Sequence, residues 1–345
     1  MPTYRVAFFE QLSESLRALG ISIRVVAGRP DAAQAKRGDA VMPEWLTTVD
    51  HRAVSVRGRS LVMDTTRRHW QDCESIILPL MGSSVGTYEA LLRSGSRSVG
   101  LWGHVAPYVS AGNRLDLALE RWQMKRANRI FAYTRGGLSY ATNCGVPEDK
   151  ITVVNNSLDT SELERLRKHV HSRQRDPYLV YIGGLDQSKR IDLIADSLEI
   201  LHDRGIPVHV KVAGRGPQAN LLDTAVSRGQ VEMVGYVAGE QKARLILESG
   251  GILVPGRVGL VAVEALAAAR PILTTRHSQH APEIEYLTEG LSMYSSLNAA
   301  QPYADLLARF VQDRPQTAPI HEHPKLEAMV HNFADGVVKL LNEAR

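Results

Sequence analysis

In the second half of the chain, short apolar runs alternate with amphipathic stretches. The apolar runs have the length of buried strands and cover residues 178–182, 208–213, 231–234, 252–254 and 271–274. The stretches between them place apolar residues at helical spacing, for example Ile194, Leu198 and Leu201. This alternation predicts a parallel sheet with helices on both faces, and sheets of this kind bind ligands at the carboxyl ends of their strands.

The first half follows the same alternation less regularly. Strands are predicted at 21–26, 75–78, 98–102, 130–133 and 151–154, and helices at 5–19, 113–127 and 136–144. The polar run from His169 to Asp176, followed by Pro177, is the best candidate for a linker. We therefore predict an α/β protein with a first domain at 1–168, a second at 169–323, and a helix at 324–345 that packs back toward the first domain.

The stretch 252–275 carries the strongest local signal for ligand binding. A short apolar strand is broken by Pro255-Gly256, and Gly259 precedes a helix in which Glu264 lies about one and a half turns from the start. The first amides of such a helix are unpaired and lie at its positive dipole end, which suits a diphosphate. A carboxylate nearby can accept hydrogen bonds from a ribose diol. The pattern favours nucleotide binding, although an ordinary strand-to-helix turn has the same local form.

Composition narrows the class of protein. The chain has 345 residues, of which 44% are hydrophobic and 23% charged, as in soluble globular proteins. No apolar run approaches the ~20 residues that a membrane helix needs. Cys73 and Cys144 form no metal or disulfide pattern, so a reducing, cytoplasmic setting is the default expectation. The histidines are scattered, and His277 and His280 have no acidic or thiol neighbours, so we expect no metal site.

Charge is spread unevenly along the chain. Residues 1–170 carry 23 Lys and Arg against 17 Asp and Glu, whereas residues 171–345 carry 18 against 20. A basic first half suits an anionic partner, such as a phosphate-bearing acceptor or a membrane surface reached through the basic helix near 113–129. A merely solvated, Arg-rich surface has the same composition. The sequence does not interleave aromatic and basic residues, so it does not indicate a nucleic-acid partner.

Several short motifs follow one another along residues 100–290. In the second half they are Gly183-Gly184-Leu185 with Lys189, Gly214-Arg215-Gly216-Pro217, Val231 to Val237, Gly259 to Ala265 and Pro282 to Leu287. In the first half they are Leu101 to His104, Phe131 to Thr134 and Gly145 to Asp159. Together they resemble the signatures of GT-B glycosyltransferases of the large retaining family 4 (glycosyl transferases group 1). The resemblance implies two Rossmann-like parallel-sheet domains with an interdomain cleft, the first binding an acceptor and the second a nucleotide-sugar.

The resemblance also implies roles for single residues. Lys189 would stabilise the diphosphate of the leaving UDP or GDP, Glu264 would hold the donor ribose, and His104 would face the donor sugar. We expect these three residues to be catalytic. The other donor-binding positions are Gly183, Gly184, Arg190, Gly214, Tyr236, Arg257, Val258, Gly259 and Leu260, the last two through their amides.

Each of these side chains also has an ordinary interpretation. Lys189 can be an exposed lysine on a turn, and Glu264 a carboxylate on a helix surface. His104 can be a core or strand-end histidine, and Arg190 a surface charge instead of a second phosphate cation.

The chain departs from the family pattern at three places. The first glutamate of the family's Glu-x7-Glu pair falls at Gly256, which removes a carboxylate that faces the transferred sugar in relatives. We interpret this as a trait of members with a Pro-Gly-x-Val-Gly-Leu turn. Gly184 replaces the arginine of Gly-Arg-Leu, so Arg257 or Arg190 would have to substitute for that phosphate cation.

The third departure lies at the start of the sequence. Relatives place a central strand before a Pro-x-Tyr-Arg turn, whereas Met1 to Arg5 begins at that turn. We therefore expect the first strand to be missing and the native start to lie upstream.

The implied activity is transfer of a sugar from a UDP- or GDP-sugar to an acceptor hydroxyl with retention, in polysaccharide, lipopolysaccharide or glycolipid assembly. No Asp-x-Asp motif is present, so neither a metal nor another cofactor is expected. The expected location is the cytoplasm, with peripheral contact at the inner face of the cell membrane.

Two other functions stay open. The departures from the family pattern leave room for a non-catalytic, nucleotide-binding scaffold. Gly214 to Ala219 also fits the Gly-x-Gly-x-x-Ala pattern of NAD-dependent oxidoreductases, but no acid ends the next strand and the motif lies deep in the second domain.

Overall fold

The computed structural model describes residues 1–29, 40–56, 59–108, 114–169, 178–276, 279–313 and 322–343. The chain divides into two compact units, Met1–Leu158 with Pro324–Arg345, and Asp159–His323. Both units contain parallel sheets accompanied by helices, so the α/β prediction is confirmed.

The strands and helices of the described residues are numbered in chain order. The strands are β1 Val26–Gly28, β2 Thr47–Val49, β3 His51–Val56, β4 Arg59–Asp64, β5 Ser75–Pro79, β6 Ser98–Gly103, β7 Arg129–Ala132, β8 Ile151–Val153, β9 Tyr178–Ile182, β10 His209–Ala213, β11 Val231–Gly235, β12 Ile252–Val254, β13 Ile272–Thr275 and β14 Met293–Ser296. The helices are α1 Val6–Ala18, α2 Val85–Arg93, α3 Arg114–Arg126, α4 Arg135–Asn143, α5 Ser161–Arg167, α6 Ile191–Asp203, α7 Asp223–Ser227, α8 Gly239–Glu248, α9 Val261–Ala268, α10 Ala300–Asp313 and α11 Leu326–Asn342.

The first unit holds its parallel strands in two sheets. One has four strands in the order β5-β6-β7-β8, and the other pairs β1 with β2. Strand β1 begins at Val26, so the predicted strand over 21–26 is wrong for all but its last residue. The antiparallel hairpin of β3 and β4 was not expected. Residues 52–55 of the hairpin are exposed, and a strand that buries little gives no clear apolar alternation in the sequence.

The last helix belongs to the first unit. α11 packs on α1 and on strands β6, β7 and β8. Phe333 stacks on Phe131 with ring centroids 4.6 Å apart, and it meets Phe8 edge-to-face at 5.4 Å. Arg129, which is buried, forms an ion pair with Glu343 just beyond the helix. The helix therefore completes the core of the first unit.

The second unit is built around one six-stranded parallel sheet in the order β11-β10-β9-β12-β13-β14. Alternate residues of each strand enter two separate cores, as the two-residue repeat of a strand requires. Leu179 and Tyr181 face the core that α6 and α10 cover, whereas Tyr178 and Val180 face the core under α8 and α9. Burial on both faces explains why these strands read as continuous apolar runs.

The crossing from the first unit to the second falls after Leu158, ten residues before the predicted boundary at 168/169. The reason is α5, which packs on α8 and α9 of the second unit. From residue 170 onward, the polar run taken as a linker lies outside the described residues. No described helix combines the length and the apolar character needed to cross a membrane.

Truncating Phe333 tests the role of α11. Phe333 is 3% exposed, and removing a buried ring leaves a cavity among Phe8, Trp102 and Phe131. We expect Phe333→Ala to lower the free energy of unfolding by about 3–5 kcal/mol in a urea titration. The control, Lys339→Ala, changes an exposed residue of the same helix and should stay within about 0.5 kcal/mol of the wild type. Equal midpoints for both variants would contradict this account of the helix.

Candidate functional site

Three loops meet at the carboxyl edge of the second sheet. They are the Gly183 loop (183–190) after β9, the Gly214 loop (214–218) after β10, and the Gly256 turn (255–260) after β12. Backbone hydrogen bonds join them: the Leu185 amide donates to Arg215 O at 3.0 Å, and the Arg257 amide donates to Ser188 O at 2.9 Å. The loops therefore form one continuous surface where parallel sheets bind ligands.

The glycines of the Gly214 loop are required by close backbone contact. A Cβ at Gly214, which has φ +155°, would lie 1.9 Å from Gly183 O, and a Cβ at Gly216 would lie 2.3 Å from Leu185 O. No side chain fits at such distances. The Gly-x-Gly pattern is thus explained by packing of one loop on the other.

Gly256 is confined in the same way by the Gly183 loop. A Cβ at this position would lie 2.4 Å from Ser188 O and 2.6 Å from the carbonyl carbon of Lys189. A glutamate cannot occupy the position with this backbone. The departure from the family's Glu-x7-Glu pattern is therefore coupled to the path of the loop that carries Lys189.

Lys189 is held by this contact. It ends the short turn Gln187–Lys189, which Asp186 caps by accepting a hydrogen bond from the Ser188 amide at 2.9 Å. The half-buried ammonium donates to Arg257 O at 2.9 Å and so lies beside the Gly256 turn. The structure thus brings the predicted cation next to the predicted phosphate-binding turn.

Arg190 has a different environment. Its backbone is left-handed, with φ 55°, and its guanidinium pairs with Asp192 at 2.8 Å and donates to Asn298 Oδ1 at 2.8 Å. The charge is therefore already balanced by an acid. Its proposed contact with a phosphate stays a prediction, and Lys189 is the better placed of the two cations.

The start of α9 offers amides for an anion. Among the described residues, the amides of Gly259 and Leu260 have no hydrogen-bond partner, whereas the Val258 amide donates to His280 Nδ1 at 3.1 Å. Because Nδ1 accepts this bond, the proton of a neutral imidazole resides on Nε2, which lies 2.9 Å from Thr275 O. His280 thereby fixes the turn, a role that the sequence did not indicate.

Glu264 lies on α9 with its side chain only 10% exposed. Its carboxylate forms an ion pair of 2.6 Å with the ammonium of Lys242 on α8. Burial of a carboxylate is costly without such a partner. Lys242 was missed because it is 22 residues away in sequence and belongs to no motif.

Two tyrosines flank these loops. The hydroxyl of Tyr181 donates to Gly184 O at 2.6 Å, and burial, with the nearby Asp186 charge, raises the pKa of Tyr181 far above its usual value. This tyrosine is therefore a permanent neutral donor that shapes the Gly183 loop. Tyr236, which follows β11 directly, is 46% exposed and free of such constraints on its ring.

His104 lies in the first unit, directly after β6. Its half-buried ring meets Tyr133 edge-to-face at 5.0 Å. The next residue, Val105, has φ 70°, a strained conformation for a β-branched side chain. Strained residues cluster at functional sites, so the turn that holds His104 is a candidate for binding in its own right.

The predicted donor residues thus assemble in the second unit. Gly183, Gly184, Lys189, Gly214, Arg257, Val258, Gly259 and Leu260 lie on the joined loops, and Glu264 lies on the helix that follows. The described residues contain no group of three or more His, Cys, Asp or Glu side chains that could hold a metal ion.

Comparison with known proteins indicates the class of protein. Residues 176–313, which lie within the second unit, match the family model described as Glycosyl transferases group 1. A search of curated proteins found no match.

Solved structures share the fold of both units. Anabaena Alr3699/HepE in complex with UDP and glucose has a TM-score of 0.63 at 12% identity, over 96% of this chain and 95% of that one. The pneumococcal O-GlcNAc transferase GtfA in complex with UDP and GlcNAc has a TM-score of 0.54 at 14% identity, over 85% and 62%. The UDP-GlcNAc 2-epimerase from Methanocaldococcus jannaschii has a TM-score of 0.55 at 14% identity, over 94% and 95%. The predicted GT-B fold with two Rossmann-like units is confirmed, and together with the family match it supports a GT-B glycosyltransferase.

A pair of glycine variants tests the packing of the Gly256 turn. We expect Gly256→Ala to lower the stability by about 1–3 kcal/mol, because the Ser188–Lys189 backbone must move. At Gly259 the nearest atom to an added Cβ is Ala281 Cβ at 3.8 Å, an ordinary contact. Gly259→Ala should therefore melt within a few degrees of the wild type, as followed by circular dichroism. Similar losses in both variants would contradict the assignment of a special constraint to Gly256.

Proposed function

We propose that the protein transfers a glycosyl group from a UDP- or GDP-sugar to an acceptor hydroxyl with retention at the anomeric carbon. The observation that carries the proposal is the arrangement at one sheet edge of the Lys189 ammonium, the Gly259 and Leu260 amides, and Glu264. The first two groups suit a diphosphate, and the carboxylate suits a ribose diol. As the bond from the sugar to the diphosphate breaks, negative charge grows on the leaving nucleotide, and Lys189 and the amides would stabilise it.

The nucleotide half of the proposed site has stronger support than the sugar half. Lys189, the α9 amides and Glu264 all lie at the same edge, whereas the packing of Gly256 on Ser188 excludes a second carboxylate there. His104 is the proposed contact to the donor sugar from the first unit. Arg257 and Tyr236 complete the proposed donor-binding set, with Arg257 donating to Gln279 O at 3.3 Å. We propose no metal or other cofactor for the reaction.

The acceptor is assigned to the first unit, in keeping with its excess of basic residues. We propose an acceptor in polysaccharide, lipopolysaccharide or glycolipid assembly. A scaffold without turnover would bind the nucleotide but consume no donor. An epimerase would change the sugar and leave no acceptor product, which matters because a UDP-GlcNAc 2-epimerase shares the fold.

Nucleotide binding tests the donor site directly. Loss of a hydrogen bond to a charged group costs about 1.5–3 kcal/mol, so Lys189→Met should weaken UDP or GDP binding roughly 10- to 100-fold in calorimetry. Lys168→Met, which removes an exposed charge from the same unit, is the matched control and should bind as the wild type does. Glu264→Gln should weaken UDP binding and leave inorganic pyrophosphate binding unchanged, because pyrophosphate has no ribose.

Turnover is measured in the same preparations with radiolabelled UDP- and GDP-sugars, separated by chromatography into transferred, hydrolysed and epimerised sugar. Absence of binding for both nucleotides would refute the proposal. Binding without any change of the sugar would leave the scaffold function.

We also propose that α3 contacts an anionic membrane surface. Its exposed face carries Arg114, Arg121, Lys125 and Arg126 around Leu115 and Trp122, which are 57% and 39% exposed. Leu115 and Trp122 are two turns apart and so lie on one face of the helix. Basic residues attract anionic lipid while leucine and tryptophan enter the interface, which is the composition of an interfacial helix.

Vesicle sedimentation tests this membrane contact. We expect the protein to bind vesicles that contain phosphatidylserine and to ignore pure phosphatidylcholine. Neutralising Arg114 and Lys125 with glutamine should cost about 2 kcal/mol of binding, roughly 30-fold, at about 1 kcal/mol per cation. Leu115→Ser should also weaken binding, whereas Leu297→Ser, at 61% exposure in the second unit, should not. Equal binding of both vesicle types would contradict the proposal.

A further inference from the structure

The first unit buries a guanidinium that has no acidic partner among the described residues. Arg5 ends the turn Thr3–Arg5 ahead of α1 and is 7% exposed. Its described polar contacts are all neutral: Asn156 Oδ1 at 2.8 Å, Tyr133 Oη at 3.4 Å and Met329 Sδ at 3.8 Å. A buried charge without a counter-charge is costly, so this arrangement requires a physical explanation.

Aromatic rings make the burial tolerable. The guanidinium carbon lies 5.0 Å from the centroid of Trp102, 5.2 Å from Tyr4, 5.7 Å from Tyr133 and 5.8 Å from Phe8. Ring faces attract a cation and keep it charged. They do not neutralise it, so the site retains a positive potential in surroundings of low dielectric constant, where an anion interacts strongly.

The position of Arg5 in the fold is that of a ligand site. Trp102 and His104 lie at the carboxyl end of β6, Tyr133 follows β7, and Asn156 follows β8. The carboxyl ends of parallel strands are where such sheets bind ligands. Two strained residues border the same edge: Val105 with φ 70° and Asn155 with φ 56°.

The donors of Arg5 are only partly used. Nη2 donates to the two oxygen acceptors, whereas Nη1 has only the thioether of Met329, which is a weak acceptor. Nε has no acceptor among the described residues. A phosphate or carboxylate would supply the oxygens and the charge that these N–H groups lack.

We propose that Arg5 is the anion-binding residue of an acceptor site in the first unit, and that the acceptor carries an oxyanion, either a phosphate ester or a carboxylate. That the bound molecule is an acceptor rests on the proposed glycosyl transfer. The anion site itself rests on Arg5, Trp102, Tyr133 and Asn156. A purely structural Arg5, anchoring α1 to the sheet, is the competing explanation.

The test uses the full chain and two probes, phenyl phosphate and glucuronate, which separate a phosphate from a carboxylate source. Calorimetric titrations are run with and without saturating UDP. We expect one probe to bind, with an affinity that falls as salt rises, and Arg5→Gln to weaken it by roughly tenfold or more. Arg17→Gln, which removes an exposed charge from α1, the helix that follows Arg5, should bind as the wild type does.

Folding of the variants is checked by thermal melting, because Arg5→Gln also removes an anchor of α1. Arg5→Lys keeps the charge and should retain part of the affinity. In the wild type, the 15N–1H signal of Arg5 Nε, identified by its absence from the Arg5→Lys spectrum, should shift when the probe binds.

Two results would overturn the inference: a folded Arg5→Gln with unchanged affinity, or an Arg5 Nε signal that neither probe moves. UDP binding in the same samples keeps the two proposals separate. A chain that binds UDP but neither probe refutes only the anion site, and a chain that binds neither UDP nor GDP refutes the proposed function.

Discussion

Backbone packed directly against backbone is the constraint on which the candidate site depends. Where the Gly183 loop meets the Gly214 loop and the Gly256 turn, the space for a Cβ is already occupied by carbonyl groups. Glycine at 214, 216 and 256 is the only residue that allows this approach. The approach in turn sets the Lys189 ammonium against Arg257 O, beside the Gly256 turn. The packing of the Gly256 turn on the Ser188–Lys189 backbone thus both requires glycine at position 256 and positions the Lys189 ammonium.

The two candidate sites differ in how their buried charges are balanced. In the second unit the buried carboxylate of Glu264 is balanced by Lys242, and the Arg190 guanidinium by Asp192. In the first unit the Arg5 guanidinium is surrounded by rings and an amide. A site whose charges are already paired exchanges partners when a ligand arrives, whereas a site with an excess charge gains one.

Strands β9, β12 and β13 were predictable because they are buried on both faces and rich in apolar residues, whereas β14, with three half-buried residues, was not predicted. The β3–β4 hairpin was not predicted either, because residues 52–55 are exposed and the apolar alternation is lost there. Among the candidate site residues, Lys189, Gly259 and Glu264 were predicted from motifs that follow strands. Lys242 and His280 were missed because each acts through one contact across a large sequence separation, Lys242 with Glu264 and His280 with the Val258 amide. Single contacts of this kind produce no periodicity and no local composition in the sequence from which they could be predicted.

The return of α11 to the first unit has a consequence for synthesis of the protein. Phe8, Leu12 and Leu16 of α1 are synthesised before the second unit, whereas the side chains that cover them, Leu326, Met329 and Phe333, are synthesised after it. Domains usually fold in the order in which they are translated. In this protein the apolar surface of the first unit that α11 covers stays exposed until the second unit has been synthesised. Apolar surface exposed in this way during synthesis is a site for aggregation or for chaperone binding until α11 covers it.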